Sequence, residues 1–368
     1  MLTPIRLLTP VIGIKTMIQG FKFDLFGRYL DRRELRRMSL LNKTDAVPHI
    51  PKLSQVLFER REHSFNSLAA LPSNVEAIDA ALKFAAGLNP FVVIVGPSGW
   101  GKTHLLNAIA QRLAHDLLAV PEILSVSDYV SNTSRVDISG PLLLDDVQEA
   151  MGRSRMKMSL RLNLERRVKC NKQTILAFTS PKPSRALKAF LPSARDWTIV
   201  SMGAAEPAER LLLLDQMSTA EGLALSPRLT KVMADQMLGN GLTLAGALKR
   251  LRLSGTNWLD SNATLRALGL LDPFFADNSS WDLKHKVLRV AEHSKFQFSK
   301  VSSSDLALYT MLHEAGLNEI EVARATGVEP AEAYLRASKF KARLADCETS
   351  RVYVKQFVDL VVEELARD

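Results

Sequence analysis

The chain has 368 residues, 46% of them hydrophobic and 24% charged, with a formal net charge of +9. That length accommodates two or three domains, each with its own core, and no stretch approaches the roughly 20 apolar residues of a membrane helix, which argues against stable membrane insertion. Two cysteines, Cys170 and Cys347, show no metal-binding spacing and suggest no disulfide framework, as suits a reducing cytoplasm, while the positive charge favours a polyanionic partner.

Residues 1–62 read as a basic N-terminal segment and linker. They carry the cluster Arg32-Arg33-Glu34-Leu35-Arg36-Arg37 and a piece bounded by Pro48 and Pro51. The apolar run Leu7 to Ile14 contains Pro10 and lacks a small-residue cleavage site, which reads against a signal peptide.

From residue 63 to 204, short apolar runs alternate with helical patterns, and this alternation predicts an α/β core with a parallel sheet covered by helices. The strand-like runs are Phe91 to Val95, Leu142 to Leu144, Thr174 to Phe178 and Thr198 to Ser201. The first runs straight into Gly96-Pro97-Ser98-Gly99-Trp100-Gly101-Lys102-Thr103-His104, and a helical stretch from Leu105 to Ala114 follows. Strand, glycine-rich loop and helix in that order define a phosphate-binding loop. Glycines let successive backbone N–H groups turn around phosphate oxygens, and the helix dipole adds positive potential. Lys102 is placed to reach the β- and γ-phosphates, and the Thr103 hydroxyl to ligate Mg²⁺. The expected ligands are therefore a nucleoside triphosphate and Mg²⁺.

About 40 residues further on, Pro141-Leu142-Leu143-Leu144-Asp145-Asp146 is a strand ending in carboxylates, the position from which such folds hold magnesium. Asp145 is the expected magnesium partner, and Asp146 the expected catalytic group that polarises an attacking water. Next comes the segment from Arg153 to Lys172, which is rich in arginine and lysine with Glu165 as its single acid. It reads either as salt-sensitive nucleic-acid contact or as the exposed face of an amphipathic helix that buries Met156, Leu160 and Leu164.

Residues 205–255 show only helical periodicity and read as a helical lid. Residues 256–280 form a connector with turn formers from Asp272-Pro273 to Asn278-Ser279-Ser280. Residues 281–368 read as an all-α helix-turn-helix domain. Ser304 to Glu314 is one helix, Leu317 to Ala325 the next, and Thr326-Gly327-Val328 the turn. Pro330 opens a further helix, Ala331 to Leu344, whose Arg336, Lys339, Lys341 and Arg343 are the candidate DNA-binding residues. A helical bundle used for protein contacts is the alternative.

Several of these strings resemble the DnaA family of bacterial chromosomal replication initiators. Gly99 to Ile109 is similar to that family's phosphate loop, Leu144-Asp145-Asp146-Val147-Gln148 to its acidic segment, and Thr174 to Ser180 to the strand that leads into its first nucleotide sensor. Phe65 with Pro72-Ser73-Asn74 resembles the family's approach to its ATPase module. The resemblance runs from about residue 63 to the C-terminus and implies an AAA+ P-loop ATPase core with a helical lid, followed by a DNA-binding domain. Its implied partners are double-stranded origin DNA, further copies of the chain and the replicative helicase.

The chain also departs from the family pattern. The family's arginine that reaches a neighbouring subunit's ATP falls near Ser193-Ala194-Arg195-Asp196-Trp197, with Arg195 displaced by one position. Leu242 stands where the lid's γ-phosphate-sensing arginine belongs, and Pro181 stands in place of the first sensor's Asp. The helical insertion of initiators between Ile123 and Leu142 is shortened to the polar stretch Ser125 to Gly140. The Asp-His-Thr-Thr-Val recognition run becomes Glu329-Pro330-Ala331-Glu332-Ala333, and the basic loop before this domain's helix reduces to Ser299 through Ser304. The expectation is a DnaA-like initiator that assembles with ATP on origin DNA to promote strand opening and helicase loading, using ATP chiefly as a switch. The alternative is a nucleotide-binding regulatory or adaptor paralogue acting on the initiator or the helicase through protein contacts.

Overall fold

The computed structural model describes residues 64–117, 121–131, 140–276, 278–294 and 301–367. The basic segment read over 1–62, most of the polar stretch between Ser125 and Gly140, and the start of the reduced loop at Ser299 lie outside the described residues. All described residues belong to a single unit, Arg60–Asp368.

Five strands build the core: β1 Phe91–Gly96, β2 Ile123–Ser125, β3 Leu142–Asp145, β4 Thr174–Thr179 and β5 Thr198–Ser201. They lie in the order β2-β3-β4-β1-β5, and every pairing is parallel. Strand side chains alternate between faces, so each apolar run divides its residues between two helical layers. Phe91, Val93 and Val95 face one side with Leu142, Leu144, Leu176 and Phe178. Val92 and Ile94 face the other with Leu143, Ile175 and Ala177. The first layer consists of helices α3 Val126–Ser131, α4 Gln148–Met151, α5 Ser154–Lys169 and α6 Arg185–Phe190. The second is α1 Val75–Ala85 with α2 Lys102–Leu117. Burial on both faces is why these strands read as continuous apolar runs.

Helix α5 resolves the basic segment from Arg153 to Lys172. Leu160 and Leu164 are buried, as an amphipathic helix requires, but Arg167 is buried with them at 2% exposure. Its Nε donates to Thr174 Oγ1 at 2.9 Å, and Nη2 donates to the carbonyls of Gly140 at 2.6 Å and Gln173 at 2.8 Å. A guanidinium matches several acceptors at once, so Arg167 ties the end of α5 to the start of β3 and β4 instead of facing solvent.

The lid begins with α7 Pro207–Ala220, followed by α8 Pro227–Gln236 and α9 Gly241–Ser254. A two-residue parallel pair, β6 Ala224–Leu225 with β7 Asn257–Trp258, interrupts the purely helical pattern expected there. Next, α10 Ser261–Leu271 fills much of the stretch read as a connector, and Leu265, Leu268 and Leu271 are fully buried. The C-terminal helices are α11 Leu283–His293, α12 Ser303–Tyr309, α13 Glu319–Thr326, α14 Pro330–Asp346 and α15 Glu348–Arg367. A single apolar cluster runs from Leu214 in α7 to Leu365 in α15, so the lid and the C-terminal helices share one core. The helix expected over Ser304 to Glu314 breaks into α12 and a π-turn at Thr310–Glu314. No described helix is long and apolar enough to cross a membrane.

Candidate functional site

The carboxyl ends of parallel strands are where open α/β sheets bind ligands. Here β1 delivers Gly96 through Gly101 to that edge, and Lys102 and Thr103 open α2. Gly99 and Gly101 have φ of 78° and 95°, values that side-chain-bearing residues rarely adopt, and this left-handed backbone is what wraps the loop. The Lys102 ammonium lies buried inside the curl. It donates to the carbonyls of Gly96 at 2.9 Å and Pro97 at 2.8 Å. Burial pushes its pKa below the usual lysine range, while the carboxylates of Asp145 and Asp146 act in the opposite direction.

The acidic strand meets this loop directly. Thr103 Oγ1 donates to Asp145 Oδ2 at 2.6 Å, which joins the two residues expected at magnesium. Asp145 also accepts the Asp146 N–H at 2.9 Å, and Asp146 itself adopts a left-handed φ of 53°. A hydroxyl and a carboxylate oxygen on adjacent elements form a hard-oxygen donor pair, and a cation held with nucleotide phosphates needs few protein ligands beyond that. Such a Mg²⁺ would rest against Thr103 and Asp145.

Gln148 organises the remainder of this edge. Its Nε2 donates to Asp146 Oδ1 at 2.8 Å, and its Oε1 accepts the Thr179 N–H at 2.8 Å. The end of β4, where the first sensor was expected, is thereby tied to Asp146 through the Gln148 side chain. Pro181 follows two residues later and has no N–H to offer.

Two members of the predicted loop face elsewhere. His104 Nε2 pairs with Ser67 Oγ at 2.9 Å and links α2 to the 3-10 turn Phe65–Ser67. Trp100 packs against the small cluster of Ala69, Leu71 and Ala205, and the Arg210 guanidinium lies 5.8 Å from its ring centroid. Arg210 also donates to the carbonyls of Ala205 and Met237. Pro97 and Ser98 complete the loop, with Ser98 exposed. Leu242, at the expected lid-sensor position, is 68% exposed, and Asn240, two residues earlier and unmarked by any motif, reaches the loop instead.

Arg195 is not part of this assembly. It sits in the turn Ala194–Asp196, just before β5, and β5 enters the sheet with Thr198 paired to Val92. The loop leaves β1 four residues beyond Val92, so Arg195 lies at the opposite edge, about 13 Å or more from it at 3.3 Å per strand residue. The Phe91–Trp197 ring contact, with centroids 5.4 Å apart, fixes it there. At that edge Arg195 is exposed and stands away from the loop of its own chain.

In the C-terminal helices, Gly327 closes α13 in a left-handed cap and Pro330 opens α14. Lys339, Lys341 and Arg343 are exposed. Arg336 instead pairs with Asp305 at 2.6 Å and with Ser304 Oγ at 2.9 Å, which ties α14 to the start of α12. At 3.6 residues per turn, Lys339 and Arg343 share a flank of α14, whereas Lys341 lies roughly 140° around the helix from Arg336.

The parallel sheet, the glycine-rich loop facing an acidic strand and the helices that follow define an α/β core of the P-loop kind with a helical C-terminal region. Over part of its length the chain is similar in sequence to chromosomal replication initiator proteins named DnaA. It is 28% identical over 210 residues to the chromosomal replication initiator protein DnaA of Dechloromonas aromatica, a match covering 51% of this chain and 44% of that protein. With the DnaA of Lactococcus lactis the identity is 24% over 320 residues, covering 77% of this chain and 69% of the relative. AMPPCP-bound DnaA from Aquifex aeolicus superposes with a TM-score of 0.48 at 17% identity, covering 82% of this chain and 98% of that one. No family model matches. The chain spans about half the length of the first curated relatives it matches.

Proposed function

We propose that this chain binds ATP with Mg²⁺ and uses it as a conformational switch while engaging double-stranded DNA through its C-terminal helices. The observation that carries the nucleotide reading is the Thr103–Asp145 hydrogen bond at 2.6 Å, with the buried Lys102 ammonium beside it. A glycine-rich loop, a lysine and an acid at one sheet edge support this reading, with the Lys102 ammonium turning from the carbonyls of Gly96 and Pro97 to the phosphates on binding. Asp146, held by Gln148, is the group for polarising an attacking water. Arg195, remote from its own loop, suits a contact in trans and hence self-assembly.

The initiator reading extends this to origin DNA, strand opening and helicase loading. Its support is the likeness to curated DnaA proteins together with the exposed cations Lys339, Lys341 and Arg343 on α14. One feature favours the adaptor reading, in which the initiator or the replicative helicase is a protein partner. Glu329 at the cap and Glu332, Tyr334 and Leu335 in the first half of α14 are exposed to solvent while Arg336 is consumed by Asp305. Acids near a helix start repel phosphates, and exposed apolar groups suit protein contacts.

Recovery of chromosomal fragments bound by the protein with ATP or with ADP separates the two. One discrete locus near an origin, enriched with ATP, is the result expected of an initiator. Scattered weak binding unaffected by nucleotide supports the adaptor.

A further inference from the structure

Asn240 stands between the lid and the phosphate loop. Its Oδ1 accepts the N–H groups of Leu242 and Thr243, each at 3.1 Å, which caps α9 and fixes which way round the carboxamide lies. Nδ2 therefore faces outward, and it donates to the Ser98 carbonyl at 3.3 Å. The approach leaves no spare room. A Cβ at Gly99 would lie 2.2 Å from Asn240 Nδ2, and one at Gly241 would lie 2.7 Å from the Gly99 carbonyl oxygen.

This contact has a consequence for the loop amides. In a trans peptide the carbonyl oxygen and the following N–H point in opposite directions. Holding Ser98 O toward the lid turns the Gly99 N–H away from it, and backbone N–H groups are what a phosphate loop offers its ligand. A second grip acts on the same tip: Arg210, bonded to the carbonyls of Ala205 and Met237, lies against Trp100. The start of α9, by contrast, brings no cation. Asn240-Gly241-Leu242-Thr243-Leu244-Ala245-Gly246-Ala247-Leu248 is uncharged throughout.

We propose that Asn240 is a positioning residue of the nucleotide site, which holds the lid on the loop through the loop's own backbone and presets the Gly99 amide for a phosphate oxygen. The lid then responds to occupancy of the loop by a nucleoside di- or triphosphate, and not to a γ-phosphate. This inference rests on the nucleotide-binding reading above.

The test is calorimetric titration of the full chain with Mg·ATP and Mg·ADP, using the wild type, Asn240→Asp, Asn240→Ser and Lys102→Ala. Asp and Ser cap helices as well as Asn does, so a purely structural role for Asn240 leaves both affinities in place. The expected wild-type affinities for ATP and ADP lie within about threefold of each other, Asn240→Ser weakens both by about fivefold, and Asn240→Asp weakens both by tenfold or more as its carboxylate faces the phosphates. The inference is overturned if Asn240→Asp and Asn240→Ser bind like wild type, if they lose ATP alone, or if the wild type prefers ATP by more than about tenfold. Lys102→Ala tells the two failures apart. Loss of binding there with intact Asn240 variants refutes the clasp alone, whereas binding equal to wild type refutes the nucleotide site itself.

Discussion

Thr103 and Asp145 lie 42 positions apart in the chain, on different elements, and their side chains meet at 2.6 Å. The meeting follows from topology. Parallel strands β1 and β3 both present their carboxyl ends to one edge, with β4 between them. The loop that extends β1 and the acid that ends β3 therefore arrive at the same place. The pair is the proposed metal position, where nucleotide phosphates and water would supply the other ligands.

Substituting Asn for Asp145 keeps the shape and a partner for the Thr103 hydroxyl but removes the charge that favours Mg²⁺. In sites of this kind, loss of a supporting carboxylate costs about 10–100-fold in metal affinity. The expected outcome is that Mg²⁺ no longer tightens ATP binding, while metal-free binding stays near the wild-type level. Titration of ATP at several Mg²⁺ concentrations reads this directly, and an unchanged Mg²⁺ dependence removes Asp145 from the metal position.

Arg167→Ala withdraws a buried cation from Thr174 and from the carbonyls of Gly140 and Gln173. Leaving those acceptors buried without a donor predicts a loss of about 3 kcal/mol in unfolding free energy. Urea unfolding monitored by tryptophan fluorescence measures it. If Arg167 were instead a surface cation for nucleic acid, the substitution would leave the unfolding midpoint unchanged.

Much of the core was legible in the sequence. Phe91 to Gly96 and Leu142 to Asp145 announce themselves because strand residues and the candidate site residues are consecutive, so a local string carries both the fold and the proposed chemistry. Arg167 was not legible, because a cation in a basic run differs from its neighbours only in what surrounds the end of α5. Strand β2, three half-buried residues at the edge of the sheet, is too short for periodicity to register. Helix α10 was concealed in a stretch read as a connector, and its apolar residues make sense only against the core that it completes. The Asn240–Ser98 contact spans 142 positions and involves a backbone carbonyl, which leaves no mark on side-chain pattern.

His313 supplies a pH dependence. Burial holds its pKa below the ordinary value of 6.5, nearby Lys341 pushes the same way, and Glu314 opposes. Its Nε2 has no hydrogen-bond partner among the described residues, so a proton there would be poorly accommodated. A group with a folded pKa below its unfolded one binds more protons when unfolded, so stability falls as pH drops through 6.5. The urea midpoint of the wild type is expected to fall between about pH 7.5 and pH 5.5, and His313→Asn to flatten that slope. An equal slope in both proteins assigns the effect to other groups.

The cations of α14 divide into two kinds. Lys339→Ala with Arg343→Ala is expected to weaken duplex binding across sequences and to reduce the salt slope by about 2, with unfolding unaffected. Arg336→Ala is expected to lower stability first, because it releases α14 from Asp305 and Ser304. Binding isotherms at several salt concentrations, set beside unfolding curves, distinguish the two. Duplex binding undiminished in the double variant moves the DNA contact elsewhere, and the exposed arginines of α5 become the next candidates.

The central claim is that this loop holds a nucleoside triphosphate through Lys102, and equilibrium dialysis of ATP against the wild type and Lys102→Ala tests it most directly. A charged hydrogen-bond donor to phosphate is worth about 1.5–3 kcal/mol, so the substitution is predicted to cut affinity by about 10–100-fold or more. ATP bound equally well by both proteins would contradict the account.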